Sequence, residues 1–223
     1  MASFVQALAS GVTTADQSLA FSSDVSAGSL LVVCMREGTN PTGSPTITDS
    51  RANSWSIAQR TVRATIAYAV ASSSGPCTVT VDAMQAISTR LVIMEFSGSW
   101  SATPLDVVAT SIAVGSSPVT ANAVTPSAPN GVAVSLLSTV SDANPFAITA
   151  GGYTLGPVAG VRVAPAYRTF SAIAPYAPTY TAGALISNDG DLQNVAFIET
   201  ASGGGGNAPA AIARYRRLCG VQP

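Results

Sequence analysis

The sequence predicts an all-β protein, an antiparallel β-sandwich, and three observations predict it. Short runs alternate apolar and polar residues with period two, as half-buried strands do. The runs recur every ten residues or so and are divided by Gly, Ser, Pro, Asn and Asp, the spacing of sandwiches rather than of βαβ units. Before the C-terminal stretch, no segment of helical period is long enough to compete.

Taken in order, strands are expected over Ser3 to Leu8, Gln17 to Ser22, Ser29 to Arg36, Pro45 to Thr48, Trp55 to Gln59, Val62 to Val70, Pro76 to Asp82 and Thr89 to Ser97. Ser29 to Met35 and Arg90 to Phe96 are apolar at successive positions, so both of their faces should be covered and both should lie centrally. Cys77-Thr-Val-Thr-Val81 alternates cleanly and should show one face to water. Gly38 to Ser44 and Asp49 to Asn53 carry the turn-forming residues of this half. The second half continues with Asp106 to Ile112, Val119 to Ala123, Gly131 to Leu137, Phe146 to Thr149, Val161 to Ala172, Thr179 to Ala184 and Leu192 to Glu199. Pro118, Pro126, Pro129, Pro175 and Pro178 place their segments at edges or in loops, because proline cannot donate to a central ladder.

With 223 residues, 47% of them apolar, the chain can bury a substantial core. Only 9% of residues are charged, against about 25% in ordinary soluble domains, and the net charge is −1. So little charge favours association, which fits a subunit of an assembly better than a freely diffusing enzyme. A compositional bias of the source genome is the alternative, and the use of Arg to the exclusion of Lys agrees with it.

Histidine is absent, which removes Ser-His-Asp and Cys-His nucleophiles, His-ligated zinc and imidazole acid–base work. Lysine is absent too, which removes Schiff-base chemistry and the P-loop lysine. Carboxylate pairs and oxygen-ligated calcium remain. Cys34, Cys77 and Cys219 form an odd set without metal spacing; Cys34 and Cys77 sit in strand patterns and read as small buried hydrophobes of a reducing compartment. The N-terminus, Met-Ala-Ser-Phe-Val-Gln, has no basic region followed by an apolar one, and no run approaches the ~20 apolar residues of a membrane span.

Segments about 100 residues apart echo one another: Gly28 to Val33 and Asn130 to Val134, Asn53 to Ile57 and Gly151 to Leu155, Ile66 to Ala69 and Ala164 to Arg168, Met94 to Gly98 and Ile198 to Ser202. As a true repeat, the echo places equivalent strands in the two halves of one sandwich, the way two Greek keys make a jelly roll. Chance likeness among β-rich strands is the alternative. Residues 1–202 are expected to form this one domain, and 203–223 a Gly-rich linker with a basic arm. The arm holds three of the ten arginines, so the body is near −4 and the arm near +3. Arg214, Tyr215, Arg216, Arg217 and Leu218 are the candidate partner-binding residues, on an acidic neighbour or another copy; a solvated tail is the alternative.

No catalytic, cofactor-binding or metal-ligating residue is assigned, and no cofactor is expected. Asp189 and Asp191, the two carboxylates close in sequence, read as a polar turn, with calcium as the alternative. Glu95 interrupts an apolar strand and should be half-buried against a partner such as an arginine. Trp55 and Tyr153, at the starts of strands, read as core plugs; Trp100, Tyr176 and Tyr180 are the candidate ligand-facing aromatics, the kind a sugar stacks on. Nucleic-acid binding has only the tail arginines behind it.

Leu19-Ala-Phe-Ser22, Ser26 to Val33, Thr48 to Trp55, Ala67 to Val70, Cys77 to Val81, Met94 to Gly98 and Pro104-Leu-Asp106 carry a resemblance to β-sandwich structural proteins of tailed bacteriophages and to bacterial surface proteins. It covers the first half and reaches the second only through Gly152 to Leu155. The resemblance implies a jelly-roll-like, non-enzymatic virion protein, a capsid decoration, accessory head or tail component assembled in a host cytoplasm. Its implied partners are capsid or tail subunits and copies of itself, with no membrane. The alternative is a glycan-binding or adhesion module, with carbohydrate as ligand.

Overall fold

The computed structural model describes residues 1–11, 16–37, 43–82, 89–183, 185 and 190–200. Among the described residues every element is a strand, and all pairing is antiparallel. The first half holds β1 (Ser3–Ala9), β2 (Gln17–Ala20), β3 (Leu30–Arg36), β4 (Thr46–Asp49), β5 (Ser56–Arg60), β6 (Ala64–Val70), β7 (Thr78–Asp82) and β8 (Arg90–Ser97). The second holds β9 (Trp100–Val108), β10 (Ile112–Val114), β11 (Val119–Thr120), β12 (Gly131–Thr139), β13 (Ala147–Ala150), β14 (Thr154–Leu155), β15 (Val163–Phe170), β16 (Thr179–Thr181) and β17 (Gly190–Glu199).

Four sheets result. In the first half, β1-β8-β3-β6-β5 faces β2-β7-β4. In the second, β10-β17-β12-β15-β14, with β9 also on β17, faces β11-β16-β13. Each half is therefore a complete sandwich with its own core, where a single sandwich over 1–202 was expected. The large sheets then pack on each other, so four layers enclose three cores.

The doubly apolar strands follow from this stacking. Leu30, Val32 and Cys34 of β3 point into the core between the halves, while Leu31, Val33 and Met35 point into the first half's own core. On β12, Val132, Val134 and Leu136 face the shared core, and Ala133 and Leu137 the second half's. Strand β7, covered on one side, keeps its alternation of buried Val79 and Val81 with partly exposed Thr78 and Thr80. Cys34 and Cys77 are buried free thiols, as expected.

The echo in the sequence is a repeat in the fold. Within the first half, β1 pairs with β8, β2 with β7 and β3 with β6, a nested winding joined by β3–β8, β4–β7 and β5–β6. The second half repeats every one of these pairings, with β9, β11, β12, β13, β14, β15, β16 and β17 in the places of β1 to β8. Details recur as well. The bulge between Phe4 and Gln6 against Phe96 and Glu95 reappears between Leu105 and Val107 against Phe197 and Ala196. The lone bridge Val25–Gly75 reappears as Val124–Tyr176. Before the two central strands, Gly28 (φ 82°) and Asn130 (φ 66°) both take the left-handed conformation that these residue types tolerate. One echo was out of register: Leu30 and Val132 lie opposite Phe96 and Phe197, so Met94 matches Val195, not Ile198. Strand β9 begins at Trp100 instead of Asp106, because Pro104 and the polar Ser101 to Thr103 are tolerated at an edge.

Candidate functional site

The nested winding leaves β4 and β5 unbonded to each other, β4 at the edge of the small sheet and β5 at the edge of the large one. Between them opens a concavity of about 270 Å³, lined by Pro45, Thr46, Ile47, Trp55, Ser56 and Ile57. Its walls are apolar surfaces and hydroxyls, with no charged side chain among the lining residues.

Trp55 is positioned from the Asp49-Ser-Arg-Ala-Asn53 turn. The Asp49 carboxylate accepts from the Arg51 amide (2.7 Å), the Asn53 amide (3.3 Å) and the Asn53 side-chain nitrogen (3.0 Å), which closes the turn with Ala52 at φ 54°. The indole N–H of Trp55 donates to the same carboxylate at 2.7 Å. Asn53 Oδ1 in turn accepts from the Ser72 amide and hydroxyl at 2.8 and 2.9 Å, tying the turn to the end of β6. With its N–H engaged, the half-buried ring packs on the first core and lines the concavity. The reading of Trp55 as a core plug is therefore half right.

At the matching place in the second half the space is filled. Tyr153, the counterpart of Trp55, is buried, and its hydroxyl donates to Asn194 Oδ1 at 3.1 Å. Burial pushes its phenol far above the usual tyrosine range, against the opposing effect of that hydrogen bond. Phe146 stands where the first half has Ile47 and is likewise buried.

The candidate ligand-facing aromatics are not on the surface as a group. Tyr180 is fully buried, and Tyr176 is buried, stacked on Phe170 at 5.0 Å with Arg168 over its ring and its hydroxyl donating to the Ala172 carbonyl. The prolines around them were signs of edges and loops, but the small sheet's inner face points Tyr180 into the core, and Tyr176, bridged to Val124, packs there too. Trp100 is half-buried against the shared core and donates its indole N–H to the Phe96 carbonyl at 3.2 Å. No ligand platform unites the three. Arg214, Tyr215, Arg216, Arg217 and Leu218, the linker and Cys219 lie outside the described residues, as does Asp189; Asp191 accepts a hydrogen bond from the Thr61 hydroxyl at 2.9 Å.

The buried carboxylates are held structurally. Glu95 is wholly buried rather than half-buried, and its partners are the Gln6 amide (2.6 Å) and the Ser26 backbone N–H (3.0 Å), not an arginine. Glu37 pairs with Arg60 at 2.6 Å and accepts from the Thr65 hydroxyl. Glu199 accepts from the Ala2 and Ser99 amides at 2.9 and 3.0 Å. Among the described residues, no three His, Cys, Asp or Glu side chains gather as a metal site would require, and no helix is long and apolar enough to cross a membrane. The chain matches no family model, no curated protein and no solved structure.

Sequence reasoning had Trp55 in hand but not the concavity. The signal was the residue available before each aromatic: Asp49, six residues before Trp55, can accept from its indole, whereas the equivalent strand position before Tyr153 is the apolar Ile148.

Proposed function

We propose that this protein is a non-enzymatic virion structural protein, a decoration or accessory protein that binds and stabilises the shell of a tailed bacteriophage. The observation that carries the reading is the nested strand winding, repeated in tandem. Its nested pairs β1–β8, β2–β7 and β3–β6 resemble those of a jelly roll, an architecture that recurs in viral capsid and lectin domains, although here β5 joins β6 and not β4. The sparse charge and the opposite signs of body and arm support a subunit that acts by docking, with many weak contacts adding through multivalency. The test is sedimentation of purified chain with assembled shells. Stoichiometric pelleting is expected, weakened in a chain ending at Ser202; a chain that stays in the supernatant refutes the proposal.

The concavity at Trp55 favours a second reading, a glycan-binding module. An aromatic face flanked by Thr46 and Ser56 hydroxyls is what a sugar ring stacks on, with C–H groups on the ring and hydroxyls at the rim. Titration of Trp fluorescence with a glycan panel tests it: a saturable change lost in Trp55→Ala supports it, and no change with any glycan removes it.

A further inference from the structure

We infer that the face joining the two halves is an isologous, dimer-type interface: each half is a unit that presents the same patch to the other, so each unit's natural partner is a second copy of itself. The repeat alone does not require this, since tandem copies also join head to tail. The contacts decide it. Exchanging each strand for its counterpart carries the central contacts into one another: β15 packs on β3 and β6 on β12, while β15 also packs on β8 and β6 on β17; only at the margin, where β9 and β17 reach β5 and β9 reaches β6, are the counterpart contacts slighter. The aromatic contacts obey the same exchange. Tyr68 meets Phe197 edge to face at 5.2 Å and 63°, and the counterpart pair, Tyr167 and Phe96, does so at 5.4 Å and 69°. Phe4, which stacks on Tyr167, has Leu105 as its counterpart, and Leu105 packs in the same core. In a closed two-fold pair, residue i touches j and j touches i.

The chain ends fit as well. Two residues, Gly98 and Ser99, link β8 to β9, and the reciprocal gap from β17 to β1 is short, since the Ala2 amide sits 2.9 Å from the carboxylate of Glu199, the last residue of β17. The full chain with a protease site inserted between Gly98 and Ser99 tests the inference. After cleavage under native conditions, the two fragments should elute together at the size of the intact chain, part in urea and reassociate on its removal. Fragments that part without denaturant overturn it. A permuted full chain, running from Ser99 to Thr200 and then from Ala2 to Gly98, with residues 201–223 at its end, is the second test. It should unfold in one transition at a urea midpoint within about a fifth of the parent's; a permuted chain that does not fold overturns the inference equally.

Discussion

Replacing Phe197 with alanine takes away a ring that is wholly buried between the two units, edge-on to Tyr68. Phe-to-Ala changes in close-packed cores cost about 3–5 kcal/mol, from lost transfer energy and the cavity left behind. Of this, about 0.5–1.5 kcal/mol belongs to the aromatic pair itself. For a protein of this size each kcal/mol lowers Tm by roughly 2–4 °C, so a fall of about 6–20 °C is expected. Phe96→Ala empties the counterpart place, where the ring meets both Tyr167 and Phe4, at 5.4 and 5.9 Å. It should cost as much as Phe197→Ala, plus up to about 1 kcal/mol for the second aromatic partner. Calorimetry supplies Tm, and urea unfolding followed by circular dichroism supplies the free energies. A fall below about 3 °C for either variant would refute the placement of these rings in a shared core, because a surface phenylalanine is lost at little cost.

Other changes probe single positions. Gly131→Ala puts a Cβ 2.1 Å from the Phe197 carbonyl oxygen and 2.7 Å from the Phe170 ring, so it should destabilise by at least about 1–3 kcal/mol, whereas Gly11→Ala, with open space around it, should be near neutral in the same urea titration. Asp49→Ala strands the Trp55 indole and two turn amides, and should cost about 1–3 kcal/mol while shifting Trp emission to the red. Arg60→Met leaves the buried Glu37 carboxylate without its cation, for a loss of about 3–5 kcal/mol by the same measure. Burial, helped by Asp49, raises the Cys77 thiol to about 11, so it should stay unreactive to a thiol reagent at pH 8 until the chain unfolds. Because the folded value lies above the usual 9.0, the stability this thiol contributes is intact below pH 9 and is lost as the pH rises toward 11; a Tm measured from pH 8 to 11 should fall, and less steeply in Cys77→Ala.

Much of the fold was legible in the residues. The run Leu30 to Met35 could only be a strand covered on both faces, since an apolar side chain at every position leaves no face for water. Gly28 and Asn130 open the paired echoes, and in the structure both take the left-handed backbone that few other residue types accept. The candidate site was less legible. Tyr176 and Tyr180 follow prolines in a loop-like context, yet which way a ring points depends on the sheet across from it, and that partner is distant in sequence. Glu95 shows the same limit: a buried carboxylate needs donors, but that they are Gln6 and a backbone amide, rather than an arginine, is settled by a strand and a turn far along the chain.

The sequence by itself determined that this chain is all-β, which strands are central, that its two halves echo each other and which imidazole and lysine chemistries it cannot perform. These are properties of single residues and of period-two patterns, which act over a few neighbours. Only the tertiary structure decided that each half closes as its own sandwich, that the two large sheets bury a common core about an approximate two-fold relation, and that the space beside Trp55 stays open while Phe146 and Tyr153 fill its counterpart. The physical reason is that an apolar face specifies that it must be covered, but not by what. The partner is chosen by shape and register among all the sheets the chain can make.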